Sequence, residues 1–69
     1  MKEIYLDSEY IRLDSLLKLA DLVSSGGEAK LLIQNGDVIV NGEVCTARGK
    51  KLYPGDTAAL FGETVSVAR

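Results

Sequence analysis

Histidine and tryptophan are absent from this chain, and cysteine, proline and phenylalanine occur once each. A lone cysteine cannot close an internal disulfide, and without histidine the common zinc sites lack their ligands. Ser–His and Cys–His nucleophilic pairs are excluded with them. No glycine-rich nucleotide loop is present. Aspartates and glutamates fall at helix starts and turns, which gives paired-carboxylate catalysis little support. The longest apolar runs are a few residues, far short of the roughly 20 that a membrane helix needs. The chain opens Met-Lys-Glu, carries charges throughout and shows no signal-peptide core. These absences predict a cytoplasmic protein with a reduced thiol, no catalytic role, no metal, no cofactor and no membrane partner.

What is present suffices for one small domain, residues 1–69, with 46% apolar residues. That apolar share is too high for a disordered tail. A domain of this size buries only about 60% of the surface of its unfolded chain, so its stability is marginal. The net charge of −2 averages over a segregated chain. Residues 1–28 carry −3, residues 29–53 carry +2, and residues 54–69 carry −1. Screening acts over about 8–10 Å, so a local cluster can present positive potential on an acidic protein.

Periodicity then orders the elements. Residues 3–6 alternate as a short strand, with Ile4 and Leu6 on one face. Leu13, Leu16, Leu17, Ala20 and Val23 recur at helical spacing. Asp14 is the expected N-cap, and Ser24 to Gly27 the expected end. Leu19 and Leu22 widen the apolar face, which predicts cover on more than one side and leaves Lys18 facing outward. Ser25-Gly-Gly-Glu28 reads as a capping box: the Ser25 hydroxyl accepts from the N–H of residue 28, and Glu28 reaches back to the N–H of residue 25. A second helix runs to about Gln34 and stops at Asn35-Gly36. Leu31 points off its core face, to pack on another element or stay exposed.

Val38–Val40 and Glu43–Cys45 flank Asn41-Gly42, a type I′ hairpin signal. Residues 46–51 read as a basic loop, and Tyr53-Pro-Gly-Asp56 as a type II turn. Thr57–Phe61 and Thr64–Ala68 form a second hairpin around Gly62-Glu63. The fold class is α+β: two N-terminal helices packed on a small, mainly antiparallel sheet of about four to five strands. The predicted core is Leu16, Leu17, Ala20, Ala29, Leu32, Ile33, Val38 and Val40.

The candidate chemistry lies in Lys30, Arg48, Lys50 and Lys51, joined by Arg12 and Lys18. Phosphate contacts need exposed Lys or Arg on one face, and arginine can grip phosphate with two parallel bonds. A solvated charged loop is the alternative. Lys30, Arg48, Lys50 and Lys51 are expected to line one face, with Arg12 at its edge. Gly26 and Gly27 open the second helix, where glycine costs about 1 kcal/mol against alanine. They serve either close packing beneath the first helix, the reading that spacing favours, or exposure of backbone N–H groups to a phosphate. Cys45 reads as a small apolar filler. Tyr5, Tyr10, Tyr53 and Phe61 look scattered, not a platform for stacked bases, which favours structured RNA read by shape over single strands.

Several stretches in order carry a resemblance. They are Ile11-Arg-Leu-Asp-Ser-Leu-Leu, Ser25-x-x-x-Ala29-Lys30-x-x-Ile33-x-x-Gly36-x-Val38-x-Val40-Asn41-Gly42, and Lys51-Leu52-x-x-Gly55-Asp56. Together they resemble the ribosomal-protein-S-four-type RNA-binding domain over residues 11–57. Leu17-Lys-Leu-Ala-Asp, Ser25-Gly-Gly-x-Ala-Lys30 and Arg48-Gly-x-Lys-Leu52 look closer still to short stand-alone bacterial members of the YaaA and YbcJ type. The resemblance implies an alpha-L RNA-binding motif with RNA on one basic surface. By matching position, that surface comprises Arg12, Lys30, Arg48, Lys50 and Lys51. Many members carry arginine where this chain has Gly26, which removes one expected phosphate contact, although the short bacterial members share the glycine pair.

The implied function is non-catalytic binding of structured ribosomal RNA, with transfer RNA as another target and ribosomal particles as partners during assembly or maturation. DNA is not expected. Two other classes compete. A ubiquitin-like sulfur carrier also shows a Val-x-Val-Asn-Gly hairpin, but it acts through a C-terminal Gly-Gly, and this chain ends Val67-Ala68-Arg69. A protein-interaction adaptor would use the acidic first helix, and would bind ribosomal particles even after nuclease treatment.

Overall fold

The computed structural model describes residues 2–69. Strand β1 (Lys2–Tyr5) and the two-residue β2 (Ile11–Arg12) precede helices α1 (Leu13–Leu19) and α2 (Gly26–Gln34). Five strands follow: β3 (Val38–Val40), β4 (Glu43–Val44), β5 (Lys51–Leu52), β6 (Thr57–Leu60) and β7 (Glu63–Ala68). One sheet runs β1-β7-β6-β3-β4, and β2 pairs with β5 in a separate ribbon. The β1–β7 pairing is parallel and the others are antiparallel. The α+β class is therefore as expected, and the ribbon is an addition to it.

Helix α1 is shorter than its apolar spacing suggests. Asp21 takes φ +61 and turns the chain out of the helix. The Asp21 N–H donates to the Lys18 carbonyl and the Leu22 N–H to the Leu17 carbonyl, the paired bonds of a Schellman ending. Ala20 and Val23 keep the helical spacing because the chain after the turn still packs inward; both are buried. Leu19 is 64% exposed, so the helix is not covered on that side. Leu31 likewise stays exposed.

The N-terminus of α1 is also closed differently. Arg12, not Asp14, is the N-cap residue, and its side chain makes no capping bond. The orphan N–H groups of Leu13 and Asp14 instead donate to the carbonyls of Lys50 (2.8 Å) and Arg48 (3.2 Å). Asp14 sits one step inside the helix, and its carboxylate accepts from the Ser15 N–H.

Helix α2 follows its capping signals. Ser25 Oγ accepts from the Glu28 N–H at 3.2 Å. The Glu28 carboxylate reaches one residue further back than a standard capping box, taking the Ser24 N–H at 2.7 Å and the Ser24 hydroxyl at 3.1 Å. Gly36 (φ +85) ends the helix. The glycines at its start do not serve packing. A methyl group at Gly26 would meet nothing within 4 Å, and at Gly27 only Ser25 Oγ at 3.9 Å.

In β3, β6 and β7 buried residues alternate with more exposed ones, so the helices cover one face of the sheet. Leu13, Leu16 and Leu17 of α1, Ala29 and Ile33 of α2, Leu52 of β5 and Val38, Leu60, Val65 and Val67 of the sheet form one buried cluster. Of the predicted core, only Leu32 is partly exposed. No side chain among the described residues buries a polar or charged group. Asn41 (φ +51) and Gly42 (φ +86) make the β3–β4 turn as expected. The β6–β7 turn slips by one residue from its expected place: Phe61 (φ +52) and Gly62 (φ +82) form it, and Glu63 pairs with Leu60. A glycine at the second turn position satisfies the same geometry, so Phe61 is left to adopt the left-handed conformation.

Candidate nucleic-acid interface

The β2–β5 ribbon joins residues far apart in sequence. Ile11 pairs with Leu52, and Arg12 with Lys51. Leu52 is fully buried and Ile11 packs against the core, so the alternate residues point outward. Arg12 and Lys51 therefore stand side by side on the exposed face. The loop at 46–50 folds back beside them, because the carbonyls of Arg48 and Lys50 are held by the first N–H groups of α1. A third bond, Lys50 N–H to the Ala47 carbonyl at 3.1 Å, tightens the loop. The carbonyls point into the helix end, which leaves the cationic side chains in solvent.

Arg12 belongs to this group through its pairing with Lys51 and its contact with the loop. Its guanidinium passes over Gly49, where an added Cβ would sit 3.6 Å from Nη2. Glycine thus gives the arginine a flat backbone to lie on. Asp14 orients the same guanidinium through a 3.3 Å ion pair, half exposed on the arginine side. Such a pair contributes little to stability, on the order of 0–1 kcal/mol, but it fixes a direction. Four cations (Arg12, Arg48, Lys50 and Lys51) are thereby gathered by the ribbon, the loop and the start of α1. Lys50 also borders a hollow of about 380 Å³ that includes Glu43 and Cys45. Cys45 is half-buried, with its thiol 3.7 Å from the Ala47 carbonyl, as befits a filler.

The remaining predicted residues lie on the helices. Lys18 is exposed in the last turn of α1. Gly26 and Lys30 are exposed on α2, four residues apart and so on one stripe of that helix. No bond joins any of the three to the ribbon group.

Two tyrosines belong to the cluster, contrary to the scattered arrangement expected. Tyr10 and Tyr53 have ring centroids 5.9 Å apart, tilted by 48°. The Lys51 ammonium sits 4.8 Å from the Tyr10 ring centroid. The missed signal was the register, since residues 10 and 53 flank the two short strands. Tyr5 lies elsewhere, on β1. Its phenol donates to Glu3, and that hydrogen bond, with the carboxylate charge, raises its pKa above 10.0.

The hairpin and turn motifs hold the ribbon in place. Asn41 Oδ1 accepts from the Thr57 N–H at 2.9 Å, and its Nδ2 donates to Asp56 Oδ1 at 3.2 Å. Asp56 Oδ2 in turn accepts from the Tyr53 N–H at 2.8 Å. Gly55 takes φ +99 in that type II turn.

Known proteins are similar to this chain in sequence and fold. The S4 domain family model matches residues 4–68. A Bacillus subtilis protein named "Probable ribosome maturation protein RlbA" is 46% identical over 59 residues, covering 86% of this chain and 83% of its own. YbcJ of Escherichia coli is 38% identical over 58 residues, covering 84% of this chain and 83% of its own. The solution structure of Escherichia coli YbcJ, described as revealing an αL motif involved in RNA binding, superposes with a TM-score of 0.76 at 34% identity. It covers all of this chain and 89% of that one. The sulfur-carrier alternative is not favoured by any of these likenesses. A match over nearly the whole chain, in sequence and in fold, makes this protein a member of the S4 domain family with an αL-type architecture.

Proposed function

We propose that this protein binds structured ribosomal RNA without catalysis, in the cytoplasm, during assembly or maturation of ribosomal particles. The observation that carries this reading is the convergence of Arg12, Arg48, Lys50 and Lys51 from two distant stretches onto one rigid ribbon and loop. The relatives support it through their names: one as a ribosome maturation protein, the other through its RNA-binding motif. Transfer RNA offers the same phosphate chemistry and is the natural competitor target. Lys18, Gly26 and Lys30 extend the proposed surface along the helices.

Phosphate contacts suit this site because its cations are exposed and its backbone is braced. Each neutralised phosphate releases counterions, so affinity falls with salt by a log–log slope of roughly −0.7 to −0.9 per contact. Crosslinking the protein to RNA in cells, followed by sequencing, tests the target. Enrichment of ribosomal RNA supports the proposal, and enrichment of transfer RNA moves it to that target. Crosslinks no more frequent than those of a variant with Arg12, Arg48, Lys50 and Lys51 all changed to alanine would overturn it.

A further inference from the structure

The outward face of the β2–β5 ribbon carries more than charge. Its register pairs Arg12 with Lys51, and one step further places Tyr10 opposite Tyr53. Alternation along each strand puts all four side chains on the same exposed side, with Ile11 and Leu52 turned toward the core. The result is a two-by-two array, two aromatic rings beside two cations. Along each strand, the backbone positions that carry ring and cation are about 7 Å apart, from a rise of roughly 3.3 Å per residue. That is the order of the separation between a nucleobase and its own phosphate.

The rings are held and partly exposed. Tyr10 is 38% exposed and Tyr53 42%. Tyr53 is anchored through its N–H to Asp56, which Asn41 holds in turn. Ser8 donates to the Tyr10 carbonyl, and Arg69 donates to the Ser8 carbonyl. An aromatic pair kept only for stability would gain from burial. Here the braces lie in the backbone and the rings keep part of their surface in solvent. Lys51 rests on Tyr10 rather than in a carboxylate pair, so a phosphate can draw it away at little cost.

From this array we infer that the site takes an unpaired, unstacked RNA nucleotide, with its base against Tyr10 and Tyr53 and its phosphate on Arg12 and Lys51. The inference rests on the RNA-binding reading above and deepens it. The preferred ligand becomes a structured RNA with a bulged or junction base, since paired bases offer no free face to stack. The aromatic rings supply discrimination, and the cations supply affinity.

Two RNA hairpins of the same stem test this, one fully paired and one with a single bulged adenosine. The unaltered protein is expected to bind the bulged hairpin roughly tenfold or more tighter, the size of one base–aromatic stack. Because the chain has no tryptophan, its tyrosine emission should be quenched more by the bulged hairpin. Tyr10→Leu with Tyr53→Leu should abolish the preference, so that the two hairpins bind alike. Tyr10→Phe with Tyr53→Phe should retain the preference. Equal affinity of the unaltered protein for the two hairpins would overturn the inference and leave RNA binding standing. Binding to neither would remove the RNA-binding reading as well. Discrimination that survives the leucine pair, shown folded by its melting curve, would place the stacking elsewhere.

Discussion

Asn41 offers the sharpest test of how this small fold is held together. Its amide ties the hairpin turn to the start of β6 through two residues: Oδ1 accepts from the Thr57 N–H and, more weakly at 3.5 Å, from its hydroxyl, and Nδ2 donates to the Asp56 carboxylate. It also adopts φ +51, which asparagine tolerates and alanine resists. Replacing it by alanine removes these bonds and adds backbone strain. A neutral hydrogen bond contributes about 1 kcal/mol and one to a charged group about 1.5–3 kcal/mol, values reduced here because water can reach the site. The left-handed conformation adds about 1 kcal/mol. Asn41→Ala should therefore cost about 2–3 kcal/mol. A domain of this length has on the order of 3–10 kcal/mol in all.

Glycine at position 41 separates the two causes. Asn41→Gly loses the bonds but relieves the strain, so it should cost about 1 kcal/mol less than alanine. Urea denaturation followed by far-ultraviolet circular dichroism measures both, and melting should fall by roughly 10–20 °C for alanine. Combining Asn41→Ala with Asp56→Ala should cost less than the sum of the single changes, because the two residues share a bond. Alanine within about 0.5 kcal/mol of the unaltered protein, or glycine worse than alanine, would refute the reasoning.

Leu17 is fully buried, so Leu17→Ala should cost about 2–5 kcal/mol in the same denaturation assay, and near-unaltered unfolding would contradict its place in the core. Replacing Lys50 and Lys51 together by alanine should weaken RNA binding and flatten the log–log salt slope by about 1.4 to 1.8, measured by fluorescence anisotropy; an unchanged slope would move the phosphate contacts elsewhere. Gly27→Ala meets only Ser25 Oγ, at an ordinary 3.9 Å, and should stabilise by up to about 1 kcal/mol, and a destabilised variant would restore the packing role that the structure denies. Phe61 is 72% exposed in a left-handed turn position, so Phe61→Asn should raise stability by about 1 kcal/mol, and a fall in melting temperature would show that the ring packs usefully.

The elements legible in the sequence are those whose signals are local. Helix α2 announced itself through Ser25, Glu28 and Gly36, and the β3–β4 turn through Asn41-Gly42, each within a few residues of its own bonds. Helix α1 was overextended because Ala20 and Val23 keep helical spacing while the chain has already turned at Asp21. An aspartate in the left-handed conformation carries a weaker sequence signal than glycine does. The ribbon was illegible for a different reason. Its strands are two residues each with 38 residues between them, too short for any alternation to stand out. The four cations of the candidate site could be named from their residue type, but their neighbours Tyr10 and Tyr53 could not, because only the pairing of Arg12 with Lys51 brings them together.

That division has a physical logic. Apart from the cations, the motif residues that carry the family likeness serve the frame in this structure. Leu13, Leu16, Leu17 and Leu52 fill the core, Gly36, Gly42 and Gly55 supply positive φ, and Asn41 and Asp56 tie the hairpin to the turn before β6. A domain that buries so little surface needs its turns fixed by side chains, since its core alone leaves a narrow margin. The outward positions of the ribbon answer to a different demand: the side chains at 10, 12, 51 and 53 face away from buried Leu52 and half-buried Ile11 between them, and contact one another and Asp14 instead. The lysines and arginines supply charge whichever RNA is bound, so the choice between a merely charged surface and a base-reading one lies in Tyr10 and Tyr53.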